Sequence, residues 1–349
     1  MKFRAGLIVG KFCPLHKGHE LLIETAIAAC EKVVIISYAK PGFARCGREN
    51  RDSWLSALFP SVEHLVIDDA WLNEQKTQGR TLRFTGVPHD DEPELTHRTF
   101  TAWACHELLG QTVDAVFTSE NYGDGFARIL TEYFKEHASQ SQPVRHICVD
   151  KARVSLPISG TQIRQDPFKH RTYLSNRVYA AFVDRIVIYG GESTGKTTLC
   201  QALAERLGTI WVPEYGRQLW TEKDGALEFS DMSRIGRTQV RQEEALMSDA
   251  NKFLICDTSP LTTLFYSQAM FGTAAPGLED LAQRTYAHTF ICAPDVAFVQ
   301  DGTRQDTAFR DRQHAWYLTE LAQRGIDHTL LTGDVDARIS AVLDKLNSS

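Results

Sequence analysis

The sequence predicts an α/β protein made of two parallel-sheet domains. Short apolar runs alternate with segments whose apolar residues recur at helical spacing, and this alternation repeats in both halves. In each half the leading apolar run ends in a glycine-bearing loop: Gly10-Lys11-Phe12-Cys13-Pro14-Leu15-His16-Lys17-Gly18-His19 early, and Gly190-Gly191-Glu192-Ser193-Thr194-Gly195-Lys196-Thr197 past the middle. A chain of 349 residues, 43% apolar, is long for one core and sufficient for two.

Residues 5–9 are apolar and end in glycine, so they read as a buried strand entering a loop. Over 18–30, Leu21, Leu22, Ile23, Ala26, Ile27 and Cys30 fall on one helical face. A strand over 33–37, a helix over 48–58 stopped before Pro60, and a strand over 64–67 follow. Residues 68–94 are polar and carry Gly79, Gly86, Pro88 and Pro93, so they read as a long excursion near a site. The first cycle closes with a helix over 96–109, a strand over 115–118, a helix over 125–134 and a strand over 146–149. A second cycle begins with a strand over 186–189, the second glycine loop and a helix over 196–207. Further strands are expected over 210–212, 253–256, 296–299 and 329–331, and a long helix over 234–250. The expected boundaries are a domain over 1–168, a linker with a short helix over 169–184, and a domain over 185–349.

The formal net charge of −6, from 38 basic and 44 acidic residues, argues against a general affinity for nucleic acid. The eight cysteines form no C-x-x-C pair, which speaks against a disulfide scaffold or zinc site and for a reducing, cytoplasmic setting. No leader pattern and no bilayer-length apolar stretch is found, so membrane insertion is not expected. The oligomeric state is open, a homo-oligomer included.

The first loop has a physical logic. A strand delivers it to the carboxyl edge of a parallel sheet, where such folds bind ligands. Gly10, Lys11 and Phe12 lead into it, and Gly18 lets backbone approach a phosphate as the next helix begins. His16 and His19, three apart, can both face a triphosphate and stabilise developing charge. Lys11 either reaches a phosphate or faces solvent. Late in this half runs Ile158-Ser159-Gly160-Thr161-Gln162-Ile163-Arg164: Ser159 and Thr161 can cap a helix and donate to phosphate, and Arg164 can reach the same oxygens.

These two segments together resemble the HxGH nucleotidyltransferase superfamily, and in more detail the nicotinamide mononucleotide (NMN) adenylyltransferases. The resemblance implies a Rossmann-like domain that joins the 5′-phosphate of NMN to the α-phosphorus of ATP. It implies His16, His19 and Arg164 on the ATP phosphates. Thr118-Ser119-Glu120-Asn121-Tyr122-Gly123 is similar to a segment near substrate in that family, which nominates Glu120 and Tyr122. Trp103 matches an aromatic position that stacks on nicotinamide, against the plain reading of a core tryptophan. Arg51 is a weaker match to a family arginine.

The second loop satisfies G-x-x-x-x-G-K-T between a strand and a helix, the context a phosphate-binding P-loop (Walker A) requires. Backbone N–H groups from Glu192 to Thr197 are expected to cradle phosphate, with Gly190, Gly191, Ser193, Thr194, Gly195 and Thr198 in the same nucleotide site. Lys196 is expected on the β- and γ-phosphates and the Thr197 hydroxyl on Mg²⁺. Asp257 ends an apolar strand, as a Walker B carboxylate or as a strand-end cap. Glu214 follows residues 210–212 and reads as a general base for an attacking hydroxyl or as a ribose ligand. Arg304, Arg310 and Arg312 lie in a polar stretch, either a phosphate-closing lid or a solvated charged loop.

This half resembles ribosylnicotinamide kinases, through the glycine loop, Glu214-Tyr215-Gly216-Arg217, Asp257-Thr258, Thr262-Thr263, Asp301-Gly302-x-Arg304 and Gln239. The resemblance implies Tyr215, Arg217 and Gln239 as substrate contacts. In domain order the whole chain resembles the bifunctional NadR-type family. That implies ATP as co-substrate, Mg²⁺ as cofactor, and nicotinamide riboside, NMN and NAD as small-molecule partners. Some members begin with a DNA-binding helix-turn-helix; here the first strand starts within five residues of Met1, so no such module and no DNA binding are expected. Two rival readings are an adenylyltransferase for another phosphate acceptor, such as a pantetheine or flavin phosphate, and a second half that acts as nucleotide sensor with little turnover. G-x-G-x-x-G follows neither leading strand, which speaks against a dehydrogenase.

Overall fold

A computed structural model describes residues 2–119, 123–150, 156–302 and 304–348. Glu120 and Tyr122, nominated above, lie outside the described residues. The chain divides into two compact units, Met1–Phe182 and Val183–Ser349. Each is α/β around a five-stranded, wholly parallel sheet.

The first unit runs β1 (Phe3–Gly10), α1 (Lys17–Ala29), β2 (Cys30–Ser37), α2 (Arg48–Leu58), β3 (Glu63–Val66), α3 (Asp69–Thr77) and α4 (Glu94–Trp103). It continues with β4 (Ala115–Thr118), α5 (Gly123–His137), β5 (Arg145–Cys148), α6 (Gly160–Gln165) and α7 (Asn176–Ala180). The sheet order is β3-β2-β1-β4-β5. Helices cover both faces of a parallel sheet, so its central strands are apolar throughout: Leu7, Ile8, Val34, Ile35, Ile36, Val116 and Phe117 are fully buried. The order reverses between β1 and β4, which opens a crevice at their carboxyl ends.

The second unit runs β6 (Asp184–Gly190), α8 (Lys196–Arg206), β7 (Ile210–Val212), α9 (Tyr215–Glu222), α10 (Phe229–Leu246), β8 (Phe253–Asp257) and α11 (Pro260–Phe271). Then come α12 (Leu278–Leu281), β9 (His288–Cys292), α13 (Thr307–Gln323), β10 (Thr329–Leu331) and α14 (Val335–Asn347). The sheet order is β10-β9-β6-β8-β7, with Ile186, Ile188, Leu199, Leu203, Ile255 and Phe290 in its core.

Four expectations need correction. The polar excursion over 68–94 contains a helix, α3, because Asp68 caps it by accepting the Trp71 N–H at 2.8 Å and Leu72 is buried beneath it. Residues 296–299 are not a strand. The central position beside β6 belongs to β9, and Pro294 just after it removes a ladder donor. Arg310 and Arg312 belong not to a loop but to α13, which starts at Thr307 because Asp306 accepts the Phe309 N–H at 2.7 Å. Residues 169–184 also break differently, into a short turn of helix over Arg171–Tyr173 and then α7. Among the described residues no helix is long and apolar enough to cross a membrane.

Candidate functional sites

A cleft of about 520 Å³ opens where β1 and β4 end, within the size range of small-molecule sites (roughly 300–1,000 Å³). Gly10, Lys11, Phe12, His16, Gly18 and His19 line it from the first loop, and Ser159, Thr161 and Arg164 from the other side. Residues about 150 positions apart therefore meet: Arg164 donates to the Cys13 carbonyl, |i−j| of 151, and its guanidinium lies 4.0 Å from the centre of the Phe43 ring.

The two histidines are oriented by backbone. His16 caps α1, its Nδ1 accepting the Gly18 N–H at 3.1 Å, while His19 Nδ1 accepts the His16 N–H at 3.4 Å. An imidazole nitrogen that accepts carries no proton, so in both neutral rings the proton sits on Nε2. The rings stack with centroids 3.8 Å apart, and Phe12, held at φ 48°, packs edge-on against His19 at 4.8 Å. Two parallel N–H donors thus share one location. Behind the loop, the buried Arg51 donates to Ser37 Oγ at 2.8 Å, and that hydroxyl donates to the Lys11 carbonyl at 3.2 Å.

Other nominated residues are engaged differently from expectation. Lys11 does not simply face solvent: Nζ is 2.6 Å from Asp90, which also lines the cleft. The Ser159 hydroxyl is spent on the cap, donating to Gln162 Oε1 at 2.9 Å and accepting the Gln162 N–H at 3.3 Å. Thr161 accepts from Arg164 at 3.0 Å, which leaves its hydroxyl proton to donate elsewhere. Trp103 does not reach the cleft. It is 3% exposed and packs against Phe84 and Phe100 at centroid distances of 5.2 and 5.6 Å, as a core residue on the inner face of α4.

In the second unit the loop between β6 and α8 reaches αL backbone at Gly195, φ 80°, where a side chain would be strained. Lys196 is nearly buried and Nζ donates to the Gly191 carbonyl at 3.0 Å; Thr194 Oγ1 donates to the same carbonyl at 2.8 Å. The Thr197 hydroxyl donates to Asp257 Oδ2 at 2.6 Å. The other oxygen, Oδ1, is buried with no partner. That orphaned oxygen beside a hydroxyl, at the end of β8, fits Mg²⁺, a cation that takes few protein oxygens and keeps waters and phosphates as its other ligands.

A cavity beside the loop is lined by Glu192, Lys196, Glu214, Arg217, Gln239 and Arg304, so the structure gathers these nominated residues. Burial pushes the Glu214 carboxyl above the usual range; the Lys196 ammonium opposes that shift and the Asp257 carboxylate adds to it. Burial likewise raises Asp257, against Lys196 and the Thr197 hydrogen bond. Gln239 is 2% exposed; Oε1 accepts the Tyr215 N–H at 3.0 Å, and Nε2 is buried without a partner.

Five nominations change here. The Glu192 N–H is not available to a phosphate, because it donates to Gln313 Oε1 at 3.0 Å. Tyr215 is buried and absent from the cavity wall. Arg310 is buried, donating to the Val296 carbonyl at 2.9 Å, and its side chain and backbone fill the space a Cβ at Gly191 would need. Arg312 is exposed over Phe309 and does not line the cavity. Thr198 sits exposed on α8. Only Arg304 of the three arginines reaches the cavity.

Sequence reasoning missed Trp220 and Tyr266, which line this cavity. The signal for Tyr266 was available: it follows Thr262 by one helical turn. It also missed the side-chain role of Glu192, which accepts from the Tyr266 hydroxyl at 3.1 Å and from the Gln305 N–H at 2.6 Å.

Residues 185–338 match the family described as AAA domain. The chain is 27% identical over 320 residues to the trifunctional NAD biosynthesis/regulator protein NadR of Escherichia coli (strain K12), covering 88% of this chain and 73% of that protein. It is 26% identical to the NadR of Salmonella typhimurium (strain LT2) over the same shares. A crystal structure of NadR protein in complex with NR shares the fold with a TM-score of 0.71 at 19% identity, over 99% of this chain and 96% of that one. A NadR crystal structure in complex with NAD and AMP-PNP gives 0.67 at 18% over the same shares. The chain is homologous to NadR.

Proposed function

We propose that this NadR homologue performs two successive ATP-dependent reactions: phosphorylation of nicotinamide riboside to NMN in the second unit, and adenylyl transfer from ATP to NMN in the first, giving NAD and pyrophosphate. The observation that carries this reading is the existence of two separate phosphate-directed sites, each on its own parallel sheet. The NadR relatives, crystallised with NR and with NAD and AMP-PNP, support both the pyridine compounds and ATP as ligands.

In the kinase step, Glu214 takes the proton of the riboside 5′-hydroxyl as that oxygen bonds to the γ-phosphorus and the β–γ bridging oxygen departs with ADP. A buried carboxyl with a raised proton affinity suits this role better than an exposed one. Lys196 leaves the Gly191 carbonyl for the phosphates, and Arg304 meets them from the lid side. Thr197 and Asp257 would hold Mg²⁺, which supplies neutralisation of phosphate charge.

In the adenylyl step no protein nucleophile is needed. The NMN phosphate attacks the α-phosphorus in line, one P–O bond forming as the bond to pyrophosphate breaks. His16 and His19 donate from Nε2 to the charge that develops, with Thr161 and Arg164 on the opposite wall. The test is direct. The protein is incubated with ATP, Mg²⁺ and either nicotinamide riboside or NMN, and the products are weighed by mass spectrometry. Both pyridine compounds left unchanged would defeat the reading.

A further inference from the structure

The glycine loop of the second unit is held from behind. Arg338, on α14, is 2% exposed, and its guanidinium fork reaches three segments of chain. Nη1 donates to the Thr194 carbonyl, 144 positions away in the loop. Nη2 donates to the Ala293 carbonyl at 3.1 Å, just past β9, and to Asp295 Oδ1. Asp295 balances the buried charge, and its other oxygen accepts the Gly333 N–H at 2.7 Å, in the turn from β10 to α14. One side chain therefore ties the loop to the carboxyl ends of β9 and β10.

The contact fixes a direction. In a trans peptide the C=O and the N–H that follows it point opposite ways. With the Thr194 carbonyl turned back to Arg338, the Gly195 N–H points away from it. Thr194 is pinned at its other end as well: it is fully buried, and Oγ1 donates to the Gly191 carbonyl at 2.8 Å. A charged donor on the carbonyl also polarises the peptide, which makes its N–H a stronger donor to an anion.

We propose that Arg338 is a positioning residue for phosphate binding: it holds the Thr194–Gly195 peptide so that the Gly195 N–H is presented, already oriented, to a nucleotide phosphate. This rests on the reading of the glycine loop as the ATP site of the kinase reaction. The competing reading is that Arg338 only anchors α14. The two differ in what a lysine can replace. An ammonium supplies the charge that Asp295 needs, but a single nitrogen lacks the fork that serves oxygens on separate segments.

The experiment measures riboside phosphorylation kinetics and ADP binding by titration calorimetry, both with Mg²⁺, in the full chain, Arg338→Lys and Val342→Ala. Val342 is fully buried four residues further along α14, so its truncation loosens the same helix without removing a donor from the loop. Arg338→Lys should raise the ATP KM and the ADP dissociation constant by roughly tenfold, the effect of one hydrogen bond to a charged group, with the riboside KM within about twofold of the parent's. Val342→Ala should lower Tm at least as far and leave both nucleotide constants within about twofold. ADP is read at the site that Lys196→Ala removes, and the ATP KM of NMN adenylylation should not move. Unchanged nucleotide constants in Arg338→Lys, a riboside KM that rises in step with them, or an equal rise in Val342→Ala overturns the proposal. So does an Arg338→Lys chain that no longer folds, since the side chain would then be an anchor of the fold. A parent protein that leaves nicotinamide riboside untouched defeats the kinase reading instead, and the ADP constants still decide the proposal.

Discussion

The Thr197 hydroxyl donates to the Asp257 carboxylate across 2.6 Å, joining two sites 60 positions apart in the chain. One belongs to the glycine loop and the other ends β8, the strand beside β6, so the sheet itself sets their spacing. The remaining carboxylate oxygen is buried and has no hydrogen-bond partner. Asp257→Asn keeps the size and one acceptor but loses the charge. It should lower riboside phosphorylation by at least about 100-fold, as loss of a metal-directing charge does in phosphoryl transfer, and leave NMN adenylylation within about twofold. Equal loss of both activities would show that the pair serves the fold rather than the site.

Glu214 gives a prediction in pH. Burial raises its carboxyl, and Lys196 only partly offsets this, so the group takes up a proton above the ordinary carboxylate range. A base works only when ionised. Riboside phosphorylation should therefore fall as pH drops, with an apparent midpoint that belongs to the Glu214–Asp257 pair rather than to either residue. Glu214→Gln should be slower by roughly 10²–10⁴-fold and lose that acid limb. A variant turning over at the parental rate would remove Glu214 from the proton transfer.

The two candidate sites should fail independently. Lys196→Ala is expected to abolish riboside phosphorylation and spare NMN adenylylation; His19→Ala is expected to do the reverse. Each activity is read in its own assay, with NMN supplied to the second. Loss of both from either substitution would mean that the sites are coupled.

Two side chains of the glycine loop bolt down the segment that carries Arg304. Glu192 accepts the Gln305 N–H, and Ser193 Oγ accepts the Val299 N–H at 2.8 Å and an Arg304 N–H at 3.2 Å. Arg304 in turn is 3.0 Å from Asp301, which pairs with Arg217 at 3.4 Å on the cavity wall. The double change Glu192→Ala, Ser193→Ala should release this segment. Tryptic cleavage after Arg304 should become fast, and riboside phosphorylation should fall by about tenfold because Arg304 lines the cavity beside the glycine loop. Unaltered cleavage would rule the latch out.

Legibility followed physical signal. The central strands β1, β2 and β4 of the first sheet read plainly, because strands buried on both faces are near-continuous apolar runs. Both loops read plainly as well, since Gly195, Lys196, His16 and His19 are residues whose backbone or charge has few substitutes there. What the chain did not display was direction. Residues 296–299 are as apolar as a strand, yet β9 lies upstream in His288–Cys292, where polar His288 and Thr289 hid it. Tyr266 and Glu192 meet only after α11 packs beside the loop, and no local pattern announces that. Arg310 and Arg312 sit two apart on a helix, so they face different ways and could not close together on one phosphate.

Trp103 shows how such a question of direction is settled by experiment. On α4 it lies three residues after Phe100, one turn along the same face, and both are buried in the cluster that includes Val116 and Phe126. Phe84, from the excursion, covers its ring. A side chain so enclosed contributes packing, and Trp103→Leu leaves a void costing about 1–3 kcal/mol. In a unit of this size each kcal/mol lowers Tm by about 2–4 °C, so calorimetry should register a shift of several degrees. The KM for NMN should stay within twofold of the parent's. A tryptophan that stacked on the pyridine ring would produce the opposite pair of results, a raised KM with little change in Tm.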